Sequence, residues 1–139
     1  MTRVEFYVLS SANLADRLKA ACQLATKAWR HGLPVFLRCS DEAQCSQLDD
    51  LLWRFKAESF VPHSLYQDDP QAPVVLGLDD EPGTQQGLLI NLSPSLSPFL
   101  ERFSRVIEIV NQEPALLNAC RENFRIYRQR GYDPKRVEL

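Results

Sequence analysis

The stretch VEFYVLSSANLADRLKAACQLATKAWRHGLPVFL, residues 4–37, decides the fold class because its apolar pattern changes period twice. Val4 to Leu9 is a short β-prone run. Leu14, Leu18, Ala21, Ala25 and Ala28 then recur at helical spacing, before Gly32 offers a stop. Val35, Phe36 and Leu37 make a second strand, so the segment reads as a βαβ unit.

The same alternation continues outward. Ser40 can cap a second helix carrying Ala43, Leu48, Leu51 and Leu52 and leading to Trp53. Pro73 to Leu76 and Leu88 to Leu92 are further apolar runs, separated by an acidic loop containing Asp79, Asp80, Glu81, Pro82 and Gly83 that reads as mobile and solvated. Ser97 and Pro98 open a short helix through Phe103, Val106 to Val110 reads as a last strand, and Pro114 suits the first turn of a terminal helix. Five strands with intervening helices predict a three-layer α/β/α domain with a mostly parallel, Rossmann-like sheet covered on both faces. A length of 139 residues suits one domain, residues 1–139.

Sixteen Lys and Arg against eighteen Asp and Glu leave a formal charge of −2, which disfavours a free-standing nucleic-acid binder. The four cysteines show no Cys-x-x-Cys spacing, and there is neither a signal peptide nor a long apolar run. A cytoplasmic protein that does not enter membranes is the expectation.

Ligands of doubly wound sheets bind at the carboxyl ends of the strands. The turn after the first strand, Leu9-Ser10-Ser11-Ala12-Asn13, has no glycine to let backbone close around a pyrophosphate, and neither Gly77 nor Gly83 leads into a phosphate-loop Lys. His31 and His63 have no metal-ligand spacing. No cofactor or metal is expected. One catalytic alternative is a small hydrolase or transferase in which Cys39 or Ser40 attacks, with Asp41, Glu42 and His63 as acid and base; its bland counterpart is a buried Cys39, a capping Ser40 and two carboxylates at a helix N-terminus.

Two surfaces carry more information. LDDLLWRFKAESFVPHSL, residues 48–65, crowds Trp53, Phe55, Phe60, Val61 and Pro62 around a helix end, where an exposed apolar patch would suit a protein partner. In the terminal helix, Arg121, Arg125 and Arg128 fall within an arc of roughly 60°, while Leu116, Cys120 and Tyr127 gather on a neighbouring arc facing a core. Phe124 and Leu117 project between the arcs, placing apolar surface beside fixed positive charge, a combination that suits a peptide with carboxylates and a hydrophobic end. The bland reading is a solvated face whose arginines pair with local acids such as Glu122.

These residues resemble the chi subunit of bacterial DNA polymerase III, a clamp-loader accessory family. The likeness runs from Val4-Glu5-Phe6-Tyr7 nearly to the C-terminus, and is most specific in LDDLLW…AESFVPH, residues 48–63, and RENFRIYRQRGY, residues 121–132. It implies a Rossmann-like fold without nucleotide binding or catalysis, and two partners. The psi subunit would dock on Trp53 and Phe60, with Val61, Pro62 and His63 as neighbours, giving a heterodimer. The acidic C-terminal tail of single-stranded DNA-binding protein would dock on Arg121, Phe124 and Arg125, with Arg128, Val110 and Leu117 adjacent. The family has a tyrosine and a lysine where this chain has Phe124 and Arg125, so stacking and charge persist while the hydroxyl is lost. The implied role is a bridge between clamp loader and protein-coated DNA.

Overall fold

The computed structural model describes residues 2–54, 61–83 and 87–139. Its elements are β1 (Arg3–Val8), α1 (Leu14–Arg30), β2 (Val35–Arg38), α2 (Glu42–Arg54), β3 (His63–Leu65), β4 (Val74–Gly77), β5 (Leu88–Asn91), a 3-10 turn at Leu100–Arg102, β6 (Arg105–Val110), α3 (Pro114–Gln129) and β7 (Lys135–Glu138).

Local chemistry explains where the helices begin and end. Asn13 Oδ1 accepts the Ala15 N–H at 2.8 Å and starts α1. Gly32, at φ +78°, lets the chain turn left-handed so that Leu33 N–H reaches back to the Ala28 carbonyl at 3.0 Å. Gly131, at φ +93°, does the same for α3, with Tyr132 N–H bonded to the Tyr127 carbonyl at 3.0 Å. The carboxylate of Glu113 accepts from Ala115 and Leu116 ahead of Pro114, which has no N–H to satisfy. At α2 the cap is Asp41, which accepts the Gln44 N–H at 2.8 Å, rather than Ser40, whose N–H and hydroxyl both turn to Gln44 Oε1.

The sheet has seven strands in the order β3-β4-β2-β5-β6-β1-β7, and every pairing is parallel. The five expected strands form its centre. The expected count is corrected by the two edges, β3 and β7, whose sequences His-Ser-Leu and Lys-Arg-Val-Glu carry no apolar run. An edge strand buries little, so pairing rather than hydrophobicity defines it.

Strand residues alternate between two cores. Val35, Leu37, Val74, Leu76, Ile90 and Ile107 pack under α1 and α2. Phe6, Val8, Phe36, Leu89, Val106 and Val110 pack on the other face, with Cys120 and Tyr127 of α3. Both faces are thereby covered, as a parallel sheet requires. Among the described residues no helix is long and apolar enough to cross a membrane.

Candidate functional site

The carboxyl ends of the strands are occupied by the protein's own side chains. Arg17 of α1 is 3% exposed and donates to the carbonyls of Ile109 at 2.9 Å and Leu92 at 3.1 Å. Arg38, also 3% exposed, donates to Asp79 Oδ1, Asn91 Oδ1 and the Ser95 carbonyl. Asp79 therefore ties down the loop expected to be solvated, while Asp80 accepts the Leu78 N–H at 2.9 Å. Beside them Glu108 of β6 is fully buried, and Asn91 Nδ2 and Tyr127 Oη both donate to its Oε2. Burial pushes the Glu108 carboxyl up to about 7, opposed by those two hydrogen bonds and by the charges of Arg17 and Arg38.

The catalytic alternative does not assemble. Cys39 is 2% exposed, and hydrogen bonding with Cys45 together with burial holds its thiol protonated. Asp41 is spent as a cap. His63 Nδ1 donates to the Val61 carbonyl at 2.7 Å and its Nε2 lies 3.2 Å from Asp49 Oδ1, so it sits near the middle of α2, eight residues and about 12 Å along the axis from Asp41. Among the described residues no group of His, Cys, Asp and Glu could hold a metal ion.

At the end of α2, Trp53 is 61% exposed, its ring centroid 5.1 Å from that of His63 in an edge-on arrangement. Val61 is 1% exposed and belongs to the core, so it offers little surface to a partner. Pro62 and His63 are half-buried. Phe55 and Phe60 lie outside the described residues.

An apolar concavity lies between α3 and the β1, β6 and β7 side of the sheet. It is a cavity of about 360 Å³, floored by Phe6, Val8, Val110, Leu117, Cys120 and Phe124 and rimmed by Gln112, Arg121 and Arg136. Phe124 is half-buried, with its ring 5.2 Å from that of Phe6. Burial pushes the Cys120 thiol up to about 11, so the cavity holds no reactive nucleophile. Arg121 and Phe124 also border a shallower groove with Arg125, Arg128 and Gln129. The two depressions thus lie side by side and share Arg121 and Phe124 as a common wall.

The arginines differ. Arg125 is paired with Glu122 one turn away, as the bland reading expected. Arg121 and Arg128 make no ion pair among the described residues. Sequence reading gathered Arg121, Phe124, Leu117 and Val110, which the fold brings into one cavity, and missed Arg136. The only signal for Arg136 lay in a polar segment without periodicity.

The family model described as DNA polymerase III chi subunit, HolC, matches residues 1–135. The chain belongs to the DNA polymerase III chi subunit family. It is 54% identical over 132 residues to DNA polymerase III subunit chi of Pseudomonas aeruginosa, covering 95% of this chain and 93% of that protein. To DNA polymerase III subunit chi of Escherichia coli it is 34% identical over 140 residues, covering 96% and 95%. A solved DEAD box protein from the hyperthermophile Methanococcus jannaschii superposes with a TM-score of 0.63 at 12% identity, over 97% of this chain and 42% of that one. That likeness shows a shared Rossmann-like fold and nothing of function. Chi-family membership is thus independent of the fold match.

Proposed function

We propose that this chi-family chain is a non-catalytic subunit that bridges the clamp loader, held through psi, to the acidic C-terminal tail of single-stranded DNA-binding protein. The observation that carries the reading is the cavity beside α3, where an apolar floor meets two arginines at its rim. An apolar terminal residue would enter over Phe124, while guanidiniums bind its carboxylate and the groove past Arg128 receives upstream acids. Psi would bind the separate patch at Trp53, with Phe60 as the second expected contact. The buried, committed state of Cys39 and Arg17 supports the absence of catalysis and of nucleotide binding.

Each tail contact is modest. Many tails presented on coated DNA raise the effective concentration, so weak contacts suffice to hold a clamp loader at its template. The test is fluorescence anisotropy with a labelled aspartate-rich peptide ending in an apolar residue, as the free acid and as the C-terminal amide. Tighter binding of the free acid is expected. Equal affinity for the two forms, or binding to neither, would remove the tail from this site.

A further inference from the structure

We infer that Arg136 of β7 is the second half of a carboxylate clamp whose first half is Arg121, and that Glu138 occupies Arg136 until a ligand carboxylate replaces it. The inference rests on the tail-binding reading and adds the residues that select a free terminus.

The geometry comes from the sheet register. Arg136 stands opposite Phe6 in the β1–β7 pairing, and Phe6 faces the core beneath α3. Directly paired residues of neighbouring strands share a face, so Arg136 emerges on the α3 side and reaches the cavity rim. Arg121 reaches the same rim from the helix. Two guanidiniums from two different elements therefore border one apolar cavity. The remaining polar rim residue, Gln112, is committed to the Leu9 carbonyl at 2.9 Å.

Arg136 is not idle. Its Nε donates to Glu138 Oε1 at 2.7 Å, with both side chains 67% exposed. Glu138 pairs with Val8 in the register and so stands on the same face, two residues along the strand. An exposed pair of this kind contributes little and yields readily to a competitor. A carboxylate in the cavity meets Arg136 with part of its shell desolvated by Phe6, Val8 and Val110, which strengthens the charge-assisted bond that replaces Glu138. Glu138 thereby serves as the resident anion, and its displacement sets a threshold that a peptide amide does not cross. Arg136 also lies past residue 135, where the family match ends.

The test uses the whole chain with Arg136→Met and Glu138→Gln, read by anisotropy with the aspartate-rich peptide in its free-acid and amidated forms. Arg136→Met is expected to weaken the free acid about fivefold and leave the amide nearly unchanged. Glu138→Gln is expected to tighten the free acid roughly twofold by removing the competitor. An unchanged free-acid affinity in Arg136→Met overturns the inference alone, as does an equal loss for both peptide forms, or weaker binding by Glu138→Gln. A wild-type chain that binds neither form overturns the tail reading and this inference together. Both positions are exposed, so an unaltered thermal transition checks that each variant is folded.

Discussion

Tyr127 of α3 donates a 2.7 Å hydrogen bond to Oε2 of Glu108 on β6, joining the helix that carries the arginines to a carboxyl sealed inside the sheet. Asn91 supplies the second donor at 2.9 Å, and Asn91 in turn accepts from Arg38. The helix is therefore fixed by a polar chain running from strand to strand as well as by the Phe6, Tyr127 and Phe124 rings. Tyr127→Phe keeps the ring and removes the donor. It is expected to cost about 1–3 kcal/mol by urea unfolding, the penalty for an under-satisfied buried acceptor; no loss would show that the bond does not hold the helix.

Glu108 makes stability fall as pH rises. Its folded value is raised to about 7, so between the ordinary carboxylate range and 7 the folded state holds a proton that the unfolded state has lost. Stability contributed by the protonated form is present at the acid end of that window and is lost as pH climbs through it. Melting temperature is expected to drop by roughly 5 °C between the two ends, and Glu108→Gln, which keeps an acceptor for Tyr127 and Asn91, should flatten the profile. Identical profiles for wild type and variant would refute the assignment.

Trp53→Ala should separate binding from folding. The indole is 61% exposed, so its removal leaves the thermal transition in place while psi co-purification is lost. A central aromatic at an interface is commonly worth about 2 kcal/mol, roughly thirtyfold in affinity. Retained co-purification would move psi elsewhere; a lost transition would make Trp53 structural.

Salt should divide the tail site into two contributions. Arg121→Ala is expected to reduce the salt-sensitive part of peptide affinity, since exposed charge pairs are screened as ionic strength rises. Phe124→Ala should weaken binding at every salt concentration, because its ring is part of the cavity floor. A salt-independent loss in Arg121→Ala would contradict the charge assignment.

ATP, GTP and NAD should not bind. Arg17 and Arg38 fill the strand ends and are already bonded to carbonyls, Asn91 and Asp79. Calorimetry with a saturable micromolar heat for any of the three would reveal a site that the glycine-free turn after β1 gives no hint of.

What the sequence determined by itself was local. Apolar period two or a short continuous run marked β1, β2, β4, β5 and β6; period 3.6 marked the helices; and the stripe of Arg121, Arg125 and Arg128 followed from helix geometry alone, because residues three and four apart share a face in any helix. Tertiary structure decided what those local units meet. Hydrophobicity does not announce β3 or β7, since an edge strand is made by its single partner, and so nothing local placed Arg136 beside Arg121. Parallel pairing of β7 with β1 brings residues from the two ends of the chain into one register, and that register completes the cavity. The same holds for Glu108 and Arg38, charged residues inside strands. Their burial is tolerated only because Tyr127, Asn91 and Asp79 arrive from distant elements to satisfy them, a condition that spacing along the chain cannot express.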